Sequence, residues 1–378
     1  MDPTIRLLKQ LVAIDSVNPA LVPGAAGESA IARSIAEEFR SLGFATHVQD
    51  AGAGRPNVIG ILEGRTQGRS LMLCGHTDTV GVAGMTRPFD PLERDGRIYG
   101  RGSQDMKGGV AAMIGAARVL AESGGLAAGR IVIACVADEE HESIGAEALV
   151  TQFRADAGVV TEPTELAVAV AHKGFEWVEI EVEGRAAHGS RPRDGRDAIL
   201  RMGRVLGALE ALDGELQAGR AHALVGTGSL HASLIEGGRE LSSYPDRCAL
   251  QIERRTIPGE AEGSSLREVE RILTRLRGED PDFKAASRAM FSRAPYQIAP
   301  NHELPEALVK AAGQAGATSP TIGMSFWTDA AVLGGAGIPS VLFGPTGAGL
   351  HGLEEWVEVQ SVLTCRDALV NLARAWCK

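Results

Sequence analysis

The chain has 378 residues, 44% of them hydrophobic, enough to bury a large core and long enough to suggest two domains. Its formal net charge of -10 and isoelectric point near 5.5 disfavour phosphate-backbone binding, and with it a nucleic-acid partner. No stretch approaches the roughly 20 apolar residues of a membrane helix, and Asp2, Arg6 and Lys9 interrupt any signal-peptide core, so the expectation is a cytoplasmic protein with no membrane partner.

The opening third alternates two periodicities. Ile31, Ile35, Phe39 and Leu42 recur at helical spacing, whereas Val58 to Leu62 and Leu71 to Cys74 are short apolar runs of the buried-strand kind. Asp105 opens a small-residue pattern, Met106 to Leu120, that predicts a helix packed closely on a sheet. Ile131 to Val136 and Ala157 to Val160 predict two more buried strands. Strands alternating with helices imply an α/β domain with a largely parallel sheet.

From Lys173 the pattern changes. Glu176 to Glu183 alternates polar with apolar residues, so one face of that strand is wet, as in an antiparallel α+β unit. A helix (Ala198 to Leu212), strands at Gly228 to Ile235 and Cys248 to Glu253, and a charged helix (Glu262 to Leu276) follow. Then the first style returns with a helix at Glu303 to Ala312, an apolar run at Ser340 to Phe343, and a last helix from Val359 to Trp376. The simplest organisation is a catalytic domain of residues 1–172 and 286–378, interrupted by a smaller inserted domain at 173–285.

Chemistry concentrates at the ends of the apolar runs. His76 and Asp78 follow the run ending at Cys74, and residues two apart on a strand share a face, so the carboxylate is placed to fix the tautomer of a metal-binding imidazole. Asp105 follows a Gly-containing turn, Glu139 and Glu140 follow Val136, Glu162 follows Val159 to Thr161, and His351 lies in a Gly-rich segment. Taken singly, Asp105 is equally a helix N-cap, Glu139 and Glu140 part of a solvated charge cluster with Asp138 and Glu142, Glu162 a turn residue before Pro163, and His351 a surface histidine. Taken as an ordered set, they read as a two-metal hydrolase: carboxylates and imidazoles without thiolates suit zinc first, with cobalt or manganese as alternatives. The five cysteines are odd in number, widely spread and partly inside apolar runs, so neither a disulfide framework nor a thiolate site is indicated. A phosphate-cradling reading of Tyr99 to Gly109 fails because Lys107-Gly108 lacks the spaced Gly-x-x-x-x-Gly-Lys-Ser/Thr order.

The segments His76-Thr77-Asp78-Thr79-Val80, Tyr99 to Gly109 with Gly102-Ser103-Gln104-Asp105-Met106-Lys107 at its centre, and Asp138-Glu139-Glu140 resemble the M20 family of di-zinc peptidases and deacylases, and the similarity runs from about residue 5 to the C-terminus. The resemblance implies a mixed-sheet zinc-peptidase domain carrying an inserted α+β lid and dimerisation domain, and a homodimer. It implies two zinc ions per subunit bridged by Asp105, one completed by His76 and Glu162 and the other by Glu140 and His351. It assigns Glu139 as general base, Asp78 as the partner of His76, and His188, in Gly184 to Pro192, as an oxyanion donor from this subunit or its neighbour. Arg255 matches an arginine that in relatives binds the substrate carboxylate, and Asp329 stands either beside the ligands or as a plain helix N-terminal acid. Glu253 in place of an Asp, and Ser242 in place of an Asn, depart from the family pattern where substrate is recognised. The implied activity is cleavage of a small-molecule N-acyl-L-amino acid, with a carboxypeptidase acting on a dipeptide or folate-like substrate as the alternative. A protein that kept the fold and metal without turnover is a further rival, against which the retained Glu139 argues.

Overall fold

The computed structural model describes residues 1–378, which form two compact units: residues 1–170, 298–322 and 328–378, and residues 171–297 with 323–327. The second unit continues past residue 285 because Lys284–Arg293 is a strand of its own sheet.

In the first unit, six strands lie in the order Ala45–Asp50, Pro56–Glu63, Arg130–Val136, Ser70–His76, Ala157–Val160, Ser340–Leu342. The middle of the sheet is parallel: Ser70–His76 pairs with Arg130–Val136 and with Ala157–Val160, which pairs with Ser340–Leu342. Pro56–Glu63 runs antiparallel to both of its neighbours, so the sheet is mixed rather than largely parallel. Ser70–His76 is buried along its whole length, which is why its sequence is continuously apolar instead of alternating. Register sets the site. His76 pairs with Val136 and Cys74 with Val160, so the carboxyl ends of three parallel strands finish side by side, the position where open α/β sheets bind ligands.

The helix that covers this sheet starts at Gly108, not Met106, and ends at Glu122. Asp105 and Met106 have non-helical backbone angles, and no side chain caps the helix start, so the simple capping role for Asp105 is removed. Gly109 is required by contact: a Cβ there would lie 2.0 Å from the Thr161 carbonyl oxygen.

The second unit is a four-stranded antiparallel sheet in the order Ser229–Gly237, Arg247–Thr256, Gly174–Glu183, Lys284–Arg293. Val178, Ile180 and Val182 point inward with Leu250 and Ile252, onto Met202 and Val205 of helix Ala198–Ala218 and Val269 and Leu273 of helix Ser264–Glu279. The outer face carries ion pairs such as Arg247 to Glu181 (2.7 Å) and Arg288 to Glu179 (2.8 Å). This is the period-2 alternation read from the sequence.

His172 makes this unit acid-sensitive. Its fully buried ring donates from Nδ1 to the Lys173 carbonyl at 2.9 Å, while Nε2 is buried without a partner beside the Tyr296 and Trp327 rings. Burial pulls its pKa from 6.5 down to about 4. Between those values the unfolded chain holds a proton that the folded chain excludes, so stability falls as pH drops through this window and is fully present above it. At about 1.4 kcal/mol per pKa unit, the loss is on the order of 3 kcal/mol. Unfolding curves for His172→Asn and the parent at pH 7 and pH 4 are expected to show the parent losing more stability by about that amount; parallel losses would contradict it.

Candidate metal centre

His76, Asp105, Glu139, Glu140, Glu162 and His351 converge within the first unit. His76 ends its strand, and its Nε2 lies 3.1 Å from Asp105 Oδ1, 4.0 Å from Glu162 Oε1 and 3.9 Å from Glu139 Oε2. His351 Nε2 lies 3.4 Å from the other Asp105 oxygen, Oδ2, and 3.1 Å from Glu140 Oε2. Asp105 therefore turns one oxygen to each imidazole, with Glu162 on the His76 side and Glu140 on the His351 side. Two overlapping groups have ligand atoms all within 4.8 Å of one another: His76, Asp105 and Glu140, and His76, Glu139 and Glu162. His351 remains half exposed (54% of its side chain) although its Nε2 faces the carboxylates.

The supports of this cluster run deeper than the sequence disclosed. Nδ1 of His76 donates to the main-chain carbonyl of Asp78 at 3.0 Å, closer than the Asp78 carboxylate at 3.5 Å. That donation fixes the ring so that Nε2 is the nitrogen presented to Asp105 and to any metal bound there. The Asp78 carboxylate instead accepts the backbone N–H groups of Glu139 (3.1 Å) and Glu140 (3.2 Å), and the Asn18 amide at 2.8 Å. Asn18 also donates to Asp138 at 3.0 Å, and Asp138 is paired with Arg55, which in turn pairs with buried Glu28. Asp138 sits at φ 70, in the left-handed region that non-glycine residues rarely occupy. Its carboxylate accepts from the Glu142 and Ile144 N–H groups, which fixes the turn that carries Glu139 and Glu140. Asn18, Arg55 and Glu28 carry no sequence signal of their own, being isolated polar residues far from the motifs.

The electrostatics are those of a site built around cations. Burial, then the neighbouring Glu162 charge, holds the Glu139 carboxyl well above its usual range; burial and then Asp105 raise Glu140, and burial raises Glu162 strongly. Burial lowers the His76 pKa, but Asp105 and Asp78 outweigh it and hold the ring well above its usual value, and Asp105 with Glu140 lifts His351 to about 10. Asp105, despite burial, is held low by its bonds to the two imidazoles. Oε1 of Glu162 is buried and accepts no hydrogen bond. Four crowded carboxylates with an orphaned oxygen among them fit divalent cations, which would neutralise the excess charge and satisfy that oxygen. Asp329 is buried at the N-terminal position of helix Ala330–Gly335 without capping it, and its charge adds to the upward push on Glu139 and Glu162.

His188 and Arg255 belong to the second unit. His188 is exposed; its Nδ1 accepts from the Ser190 N–H at 3.2 Å and lies 2.8 Å from the Ser190 hydroxyl, which places the ring proton on Nε2 as a donor. Arg255 donates from Nε to Glu253 at 2.6 Å and stacks 5.4 Å from the Phe175 ring centre, and the same Glu253 accepts from the Trp177 indole at 2.9 Å.

A buried cluster of acids and imidazoles at the carboxyl edge of a mixed α/β sheet defines a metal-dependent hydrolase in outline, and comparison with known proteins makes the class specific. Residues 72–375 match the model of peptidase family M20/M25/M40. The chain is 30% identical to an acetylornithine deacetylase from Myxococcus xanthus over 98% of its own length and 96% of the relative's. It is 27% identical to an N-formyl-4-amino-5-aminomethyl-2-methylpyrimidine deformylase from Bacillus subtilis (strain 168), covering 99% and 94%. In fold it is similar to the aminopeptidase PepT of Bacillus cereus ATCC 10987, with a TM-score of 0.82 and 21% identity over 99% and 98% of the two chains. The chain belongs to the M20 family, and is a metal-dependent hydrolase acting on an amide or peptide bond.

Proposed function

We propose that this enzyme cleaves the amide bond of an N-acyl-L-amino acid, with two zinc ions that His76, Asp105, Glu162, Glu140 and His351 would hold, Asp105 serving both. The observation that carries this reading is the division of the Asp105 carboxylate, Oδ1 toward His76 and Oδ2 toward His351. Glu162 would complete the His76 side and Glu140 the His351 side; cobalt or manganese is an alternative occupant for the same hard-to-borderline donors. Bound there, the ions supply Lewis acidity, polarising an amide carbonyl and acidifying water.

The side chains do the rest. Glu139 takes the proton of the attacking water on its carboxylate and returns it to the leaving amine nitrogen. Asp78 orients His76 through the turn it shares and fixes Glu139 and Glu140 by their N–H groups. His188, with its proton on Nε2, donates to the oxyanion of the tetrahedral intermediate, and Arg255 takes the substrate carboxylate. The acyl amino acid is favoured over a peptide by the deacetylase relative, which matches the chain nearly end to end. Zinc-loaded protein is expected to release amine from N-acetyl or N-succinyl amino acids in preference to dipeptides assayed in parallel; faster dipeptide cleavage would make it a carboxypeptidase instead.

The oligomer proposed is a homodimer formed through the second unit, in a cytoplasmic setting. Ser229–Gly237 pairs with a neighbour on one side only, and Leu234 and Ile235 on it are 65% and 55% exposed. An apolar edge strand of this kind is a pairing surface unless it is covered. Leu234→Lys with Ile235→Lys is expected to shift the sedimentation profile to monomer; an unchanged profile would place the interface elsewhere.

A further inference from the structure

We propose that Glu355 is a positioning residue that sets the metal centre from both sides, tying the loop of Asp105 and the loop of His351 to a single carboxylate. This rests on the reading of Asp105 and His351 as ligands. Glu355 is 1% exposed and touches neither imidazole. Its Oε1 accepts the backbone N–H groups of Gln104 (2.9 Å) and Asp105 (3.0 Å), and its Oε2 accepts the Gly102 N–H (2.9 Å) and Arg101 Nη1 (2.8 Å). A carboxylate has about four acceptor positions, and here all are spent on one short loop.

The other end of the tie is the chain of Glu355 itself. It lies four residues after His351, and its main-chain carbonyl accepts the Gly100 N–H at 3.0 Å. Arg101 closes the circuit, donating from Nη2 to the carbonyl of Gly352, next to His351, at 3.0 Å. Gly102 presents its N–H to the carboxylate from the left-handed region, φ 78, where a side chain is disfavoured, and a Cβ there would lie 2.7 Å from Thr79. Asp105 has a non-helical backbone and His351 sits at φ 57. Neither ligand is held by regular secondary structure, so the Glu355 bonds take over the positioning that a helix or strand would otherwise supply.

Two substitutions separate positioning from folding. Glu355→Gln keeps the shape but turns an amide NH2 toward two donors; Glu355→Asp keeps the charge beside Arg101 but is too short to span all four. The full-length proteins are titrated with cobalt(II), following stoichiometry by equilibrium dialysis and coordination by visible absorption, and metal-free thermal unfolding is recorded. Both variants are expected to bind cobalt 10- to 100-fold more weakly, the range for partners that orient ligands, with an altered spectrum, and Glu355→Asp to unfold within a few degrees of the parent. If Glu355→Gln does not fold, Glu355→Asp decides the matter. Parent-like cobalt affinity and spectrum in Glu355→Asp would overturn the proposal, provided His351→Ala loses an ion. If Asp105→Ala and His351→Ala also bind cobalt like the parent, it is the ligand assignment that fails.

Discussion

Glu139→Gln is expected to lower kcat by about 10³-fold, within the range of 10² to 10⁴ that a positioned acid–base group supplies, while the protein keeps both metal equivalents. The side chain is nearly isosteric, so its neighbours keep their packing, and the turn that presents it is held through backbone N–H groups and Asp138 rather than through the Glu139 carboxylate. Steady-state kinetics beside metal analysis provide the check. Full activity would remove Glu139 from the reaction; lost metal would make it a ligand, in keeping with its closeness to His76 and Glu162.

Asp105→Ala is expected to be the most damaging single substitution at the centre, weakening both ions together and leaving activity undetectable. His351→Ala should weaken one. The difference follows from geometry, since the two Asp105 oxygens face different imidazoles and, if Asp105 bridges, its deletion would remove a ligand from each ion. Cobalt stoichiometry measured by dialysis for the two variants distinguishes them. Equal losses, with one ion retained in each, would mean that Asp105 does not bridge.

Much of the proposed ligand set is legible in the sequence because His76, Glu139, Glu140 and Glu162 follow apolar runs, and such runs become the buried parallel strands whose carboxyl ends lie side by side. His76 and Glu162 follow this rule directly. Asp105 did not, since its segment looked like the first turn of a helix; the non-helical backbone at 105 and 106 displaces the helix to Gly108, and no propensity pattern encodes that. The parallel reading of the sheet held only for its middle, because apolar continuity reports burial on both faces rather than strand direction. Asn18, Arg55, Glu28 and Glu355 stayed hidden because their roles arise from contacts 27 to 254 residues apart in the chain. Polar residues buried by tertiary contact leave no periodicity to read. The acid four residues after His351, in a segment otherwise rich in glycine, is the one cue to Glu355 that the chain offers.

The central claim is that one carboxylate divides two cations between two imidazoles. Crystals grown with zinc, with anomalous scattering recorded on either side of the zinc edge, address it most directly. Two peaks about 3.5–4 Å apart are predicted, with Asp105 between them, His76 and Glu162 on one and Glu140 and His351 on the other. A single peak, or a pair ligated without Asp105, would contradict the account.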